Sequence, residues 1–271
     1  GGVTNALMPQ FFNLMKAFGL NDDRAWRVVM VIPGTMSLGI GILLYFFSQD
    51  CPDGNYKDLH LSGAKQKTNP LIAMKRASLN LRSWILFLLY ATCFGVELIM
   101  NANLSSYFQD EFGVDQGQAG LIASLFGLMN LFARSLGGLS SDALSKRFGM
   151  TGRLAVFFSV QFLEGIMLLI FSRMTVLGAA IPMLVLFSTC VQMAEGATFG
   201  VVPFVDPPAT GAVSGIVGAG GNVGAMTLGL LFANLDGPQA MFVLSFVVIG
   251  VSFTVFLLMF GPLKIVDTET A

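Results

Sequence analysis

The chain has 271 residues, 54% of them hydrophobic and only 11% charged, and its mean hydropathy of +0.73 lies outside the range of water-soluble globular domains. Its 15 Lys and Arg against 16 Asp and Glu form a near balance that gives no pull toward nucleic acid or an acidic polymer. The composition is that of an integral membrane protein, with lipid as its obligatory surroundings.

A helix needs roughly 20 apolar residues to cross a bilayer. Such stretches are predicted at about residues 24–48, 84–107, 117–140, 154–172, 177–200, 210–233 and 238–262, with a shorter one at 1–18. Strict apolar/polar alternation is missing, so a barrel is disfavoured, and helices are the other way to satisfy backbone polar groups in lipid. The expected fold is all-α and polytopic, with seven complete spans and one partial.

The opening GGVTNALMPQFF has no methionine and no basic flank and is already in helical apolar register. Residue 1 is therefore expected inside a helix, and the chain is read as an N-terminally truncated fragment. Residues 1–49 then form the end of one helical bundle. Residues 50–83, rich in Lys, Asp, Asn and Gly and carrying the single histidine, His60, are expected to be a flexible joint. Residues 84–262 are a six-helix bundle and 263–271 a tail. Two helices before the joint and six after it suggest an original plan of six plus six.

Lys57, Lys65, Lys67, Lys75, Arg76, Arg82, Lys146, Arg147, Arg153 and Lys264 fall on one set of alternate loops, and Lys16, Arg24, Arg27 and Arg173 on the other. By the positive-inside rule the first set is cytoplasmic. The basic residue left over is Arg134, inside a span. Its Cα is roughly 12 Å from Asp142 at the cytoplasmic edge, at 1.5 Å per residue. A charge this deep costs about 3 kcal/mol or more, so it usually faces a cavity and serves an ion or substrate path, although a long stem can also snorkel to the headgroups.

Cys51 lies in the joint, and Cys93 and Cys190 lie in spans, so neither a disulfide framework nor metal-ligand spacing is expected. HExxH, nucleophile-elbow and Walker sequences are absent, which makes an enzyme the weaker class. No cofactor is called for. Gly211, Gly215 and Gly218 recur at spacings of three and four, as do Gly221 and Gly224. They are expected to line one helical face where a neighbour approaches closely, slides or leaves room for a small ligand.

Gly138-Leu-Ser-Ser-Asp142, followed by Lys146-Arg147-Phe-Gly149-Met-Thr-Gly-Arg153, resembles the G-x-x-x-D-x-x-x-R-x-G-x-x-G-R loop of the major facilitator superfamily. That resemblance makes Gly138, Asp142, Arg147 and Arg153 a cytoplasmic conformational latch. Ala194-Glu195-Gly196-Ala-Thr-Phe-Gly200-Val-Val-Pro203-Phe204, with Gly215-Ile-Val-Gly218-Ala-Gly220-Gly221-Asn222-Val-Gly224, looks like the second signature of the nitrate/nitrite porter family within it. Gly1-Gly2-Val3-Thr4 looks like the tail of the first signature and is weakly echoed by residues 224–227, as for equivalent helices of two related halves.

The porter resemblance implies a nitrate carrier, with nitrite also open, working by alternating access. Arg134 takes the place of the family's anion-clamping arginine, and a planar fork suits a flat three-oxygen anion better than lysine. Tyr90 and Phe94 match the aromatic pair beside the anion; Asn222 offers an amide and Gly221 a close backbone. A second arginine, from the second helix of the family, has no counterpart here. This chain alone is therefore expected neither to bind nor to carry nitrate, while a full-length parent does.

Accumulating an anion against an inside-negative membrane works against about 2.3 kcal/mol per 100 mV, so a co-transported cation is needed. The eukaryotic branch, which the short central loop resembles most, uses protons. Glu97 and Glu195 are the proton-coupling candidates and Glu164 is a third, each being alternatively a structural partner of Arg134 or a helix end. The implied location is the plasma membrane, with residues 50–83 and the C-terminus cytoplasmic. A small accessory subunit is an open partner. A membrane nitrate sensor on a transporter fold, or a carrier of another small anion, remain alternatives.

Overall fold

The computed structural model describes residues 2–63 and 69–258, apart from the His60 side chain. Gly1, Lys65, Lys67, Lys264 and the tail from residue 263 lie outside the described residues. Among those described there is no β-strand; Cys51 and Gly54 bridge across a turn. The chain divides into two compact units, Ala6–Asn69, and Gly1–Asn5 with Pro70–Ala271.

Most of α1 (Gly2–Ala17), α2 (Asp22–Phe47) and the short α3 (Tyr56–Leu61) form the first of these. Asn21 starts α2 by accepting a hydrogen bond from the amide of Arg24. Lys16 reaches Asp22 at 2.9 Å across the connection. Nearly all of the apolar surface of α2 is exposed, including Tyr45, Phe46 and Phe47, so its stability as a helix comes from the backbone bonds that lipid enforces.

The other unit holds α4 (Pro70–Leu79), α5 (Leu81–Phe112), α6 (Gln116–Leu128), α7 (Ala133–Phe171), α8 (Leu177–Val201), α9 (Thr210–Asn234) and α10 (Gly237–Ser252). Helix α4 falls in the expected joint. The joint as a whole is poor in apolar residues, but this helix, PLIAMKRASL, is not: Ala77 is fully buried and the helix docks on α9 and on the 3-10 turn before it. Asn80 and Asp115 cap α5 and α6 through their side chains. Gly113, at φ 65°, ends α5 in the left-handed conformation that glycine adopts at little steric cost.

Six stretches among the described residues are long and apolar enough to cross a membrane. One of them, Gln116–Phe171, is 56 residues long and contains two of the expected spans, because what reads as the loop 141–153 is helical on both sides of one residue, Gly149, at φ 60° and ψ −146°. The chain folds back there. A Cβ on Gly152 would come 2.5 Å from Leu144 O, and Arg153 reaches Asp142 at 2.5 Å, although residues eleven apart on an unbroken helix are separated by about 16 Å. Gly149 divides α7 into a first and a second arm.

Glycines set the crossings. Cβ atoms built on Gly220 and Gly224 of α9 would run into the carbonyls of Phe87 and Ala91 on α5, and one on Gly95 would lie 3.0 Å from Ala225 N. On the other side, Gly137 of α7 lies against Met193 of α8, and Gly196 of α8 against Arg134 O. Small residues are what allow backbones to approach this closely in a membrane bundle.

Candidate functional site

The span that carries Arg134 is not one straight helix. Helix α6 passes into a 3-10 turn, Met129–Leu131, and Phe132 (φ −133°, ψ −30°) breaks the helical path before α7 starts at Ala133. Ser188 of α8 donates its hydroxyl to Phe126 O at 2.5 Å, satisfying a carbonyl just ahead of the break, as hydroxyls do where a membrane helix is interrupted. Arg134 thus sits in the first turn of α7, where the helix N-terminus adds partial positive charge to that of the guanidinium.

Its side chain turns into the bundle. Nη2 donates to Glu97 Oε2 of α5 at 3.0 Å and is in direct contact with Glu195 Oε2 of α8. Glu97 is 8% and Glu195 0% exposed against 36% for Arg134, so the two acids form the inner wall and the cation the outer. Glu97 Oε1 accepts a further bond from Asn130 Nδ2 at 3.2 Å. Among the described residues, Glu195 Oε1 is buried without a hydrogen-bond partner, and so is Arg134 Nε. A guanidinium carries five N–H donors, and both ion pairs converge on Nη2. The fork therefore has donors to spare for a ligand.

The close passage at Gly196 explains how Glu195 arrives: no side chain separates α8 from the Arg134 carbonyl. The aromatic pair also belongs here. The guanidinium lies 6.0 Å from the centre of the Phe94 ring, at the limit for a cation–π contact. Phe94 stacks on Tyr90 at 5.2 Å and 8°, and Phe199 of the α8 signature meets Tyr90 edge-on at 5.3 Å. Gly221 supports the stack, since a Cβ there would overlap the Phe94 ring.

Of the residues singled out in the sequence, Arg134, Glu97, Glu195, Tyr90, Phe94 and Gly221 are thus neighbours. Asn222 is not brought to Arg134: it is exposed and donates to Gly218 O of its own helix at 3.3 Å. Glu164, on the second arm of α7, is fully buried with neither oxygen partnered. Gly2 lies against the backbone of residues 124–128, where a Cβ would approach Ser124 O to 2.8 Å. At the fold-back, Arg153 holds Asp142 and Ser141, reaches Gly200 O of the α8 signature, and covers the Phe204 ring at 4.9 Å. Arg147 is exposed over Phe148, and Gly138 passes within 3.1 Å of where a Cβ on Gly196 would stand.

Two features were missed in the sequence. Asn130 stands in a 3-10 turn that nothing in the apolar pattern signals. Arg76 pairs with Asp206 through both carboxylate oxygens, at 2.9 and 3.1 Å, across 130 residues of chain; only the paired basic and acidic loop residues at corresponding membrane depth could have hinted at it.

Membrane-length helices crossing on glycines around an interior, ion-paired arginine define a polytopic α-helical membrane protein with a small polar centre. The chain belongs to the Major Facilitator Superfamily, which it matches over residues 6–226. It is 41% identical to the "High affinity nitrate transporter 2.5" of Arabidopsis thaliana over 232 residues, covering 86% of this chain and 46% of that protein. "Nitrate transporter 2.2" of Chlamydomonas reinhardtii is 41% identical over 83% of this chain and 44% of its own length. The "Nitrate/nitrite transporter NrtP" of Picosynechococcus is 39% identical over 52% of this chain and 26% of its own. The chain spans about half the length of the curated relatives that match most of it.

Proposed function

We propose that this chain is part of a transporter that carries nitrate, with nitrite as a second substrate, across the plasma membrane by alternating access coupled to protons. The observation that carries the reading is Arg134, held inside the bundle by two carboxylates beside an aromatic stack, with unspent donors. A flat monovalent oxyanion fits that fork through two parallel hydrogen bonds, and a ring face on one side leaves no competing acceptor. The relatives' names support the same substrate class. Helices α4 to α10 act as one bundle of the pair that rocks, with the Asp142–Arg153 fold-back and residues 50–83 on the cytoplasmic face.

In this reading Arg134 clamps the anion, Tyr90 and Phe94 wall it in, and Gly221 keeps Phe94 in place. Asn222 serves only after its amide leaves Gly218 O. The test is labelled-nitrate uptake by the full-length protein in proteoliposomes with an inward proton gradient. Arg134→Lys is expected to weaken nitrate about tenfold to a hundredfold, because a point charge loses the paired geometry. Unchanged affinity in Arg134→Lys would remove the anion site. Nitrate binding without flux in the parent protein would make it a sensor instead, and uptake of another small anion that nitrate does not inhibit would make it a different carrier.

A further inference from the structure

We propose that Glu195 is the residue that takes up the proton accompanying the anion, while Glu97 stays ionised as the fixed counter-ion of Arg134. The proposal deepens the reading of Arg134 as an anion site and rests on it. It starts from charge. Two carboxylates against one guanidinium leave one negative charge in excess around a group that must attract an anion. A monovalent anion added there doubles the excess in a place largely closed to water, where repulsion between like charges is weakly screened. One proton on either acid removes the obstacle.

The geometry chooses between them. Both oxygens of Glu97 are engaged as acceptors, Oε2 by Arg134 at 3.0 Å and Oε1 by Asn130 at 3.2 Å. An ionised carboxylate is what two such donors favour. Glu195 has the guanidinium on Oε2 and nothing on Oε1, and it is fully buried. Its bare oxygen is the most costly feature of the charged form and the natural seat for the proton. Taking up H⁺ turns the carboxylate into a carboxylic acid and loosens its hold on Nη2. That donor then turns to the anion, beside the unspent Nε, and proton loss after anion release restores the ion pair. No other bond changes.

The groups around Glu195 are consistent with this exchange. From α7 it faces Arg134; on α5, Glu97 pairs with the same cation, and Cys93 and Tyr90 lie within its electrostatic reach; α6 has no ionisable residue along its length. Glu164, on the second arm of α7, lies within electrostatic reach of Cys93. With no cation against it and neither oxygen partnered among the described residues, it lacks the ion-paired state that a cycling acid alternates with. Arg134 therefore has two internal anions of different kinds, one anchored and one exchangeable.

The experiment is equilibrium nitrate binding to the full-length protein across pH. If binding requires one proton, the dissociation constant rises about tenfold per pH unit above the titration of the group, so affinity falls as pH rises. Glu195→Gln, which imitates the protonated acid, is expected to bind nitrate with less than about a twofold change across the same range and to exchange nitrate across vesicles while losing gradient-driven accumulation. Glu195→Asp restores an ionisable group and should restore the slope, which separates a lost proton site from a folding defect. Glu164→Gln leaves the charge around Arg134 unchanged and is expected to keep the slope. The protonated-carboxyl infrared band that appears on nitrate binding is expected to persist in Glu164→Gln and to vanish in Glu195→Gln. A full slope in Glu195→Gln, survival of that band in Glu195→Gln, or a flat profile in Glu164→Gln overturns the assignment. Failure of nitrate to bind the parent protein at every pH would instead reject Arg134 as the anion site.

Discussion

Phe94 is positioned by what is missing next to it. A Cβ on Gly221 would occupy part of its ring, so the absence of that atom lets the ring lie flat on Tyr90 and under Arg134. Gly221→Ala should therefore act through Phe94. It is expected to push the ring off the guanidinium and weaken nitrate several-fold, consistent with a cation–π contact of about 0.5–2 kcal/mol. Phe94→Leu should produce a similar loss, and the double variant no more than the larger of the two, because each removes the same contact. Additive losses in a binding assay would mean that Gly221 touches the anion itself.

At this scale much of the candidate site was legible. An arginine that interrupts an apolar run is conspicuous because its charge cannot be shed, and two span acids and an aromatic pair in helical spacing can be named as its company. What spacing could not supply was how each neighbour is bonded. Whether an acid faces a cation on another helix depends on how two helices cross, and Asn130 acquired its role from a break in the span that its own residue type does not announce.

Helix α9 illustrates the next scale. Its glycines were expected on one face, but they occupy two. Gly220 and Gly224, with Gly221 beside them, pack on α5, whereas Gly211, Gly215 and Gly218 have nothing within 4 Å of an added Cβ. Successive helix residues are 100° apart, so positions 211, 215 and 218 cluster on the side opposite 220 and 224. Spacings of three and four identify a stripe without saying which of two interleaved stripes is covered. That the chain forms long apolar helices was readable from its apolar runs. The return at Gly149 was read as a loop because its flanks are polar, though polar residues at a membrane edge continue a helix without penalty.

The crossings also differ in what they tolerate. A Cβ on Gly196 would collide with the Arg134 carbonyl, and one on Gly137 with Met193. Gly196→Ala should force α7 and α8 apart, lower the unfolding midpoint in detergent in proportion to about 1–3 kcal/mol, and draw Glu195 from Arg134, reducing transport more than stability alone would explain. Gly215→Ala fills open space in a helix and should be neutral or stabilise by up to about 1 kcal/mol. Equal effects of the two substitutions would show that helix propensity, rather than the α7–α8 contact, governs both.

For the bundle as a whole, the polar ends matter as much as the centre. Arg153 closes the fold-back of α7 through Asp142 and touches the carbonyl of Gly200 in α8, while Arg76 ties α4 to Asp206 in the turn joining α8 to α9. Together they link α4, α7, α8 and α9 at one end of a unit whose middle holds Arg134. The first link was visible as a motif. The second was hidden because its partners lie far apart in sequence and α4 looked like joint. Asp206 is only 11% exposed and Arg76 is 55% exposed, so the pair is anchored on its acidic side. Arg76→Ala leaves a mostly buried carboxylate without its fork and should cost about 1–3 kcal/mol, whereas Asp206→Asn keeps the shape and frees an exposed arginine to water, costing less. A double-mutant cycle on thermal unfolding of the full-length protein is expected to return a coupling of about 1 kcal/mol or more, above the range of an ordinary surface pair. A coupling near zero would mean that α4 is held by Ala77 and its apolar contacts alone.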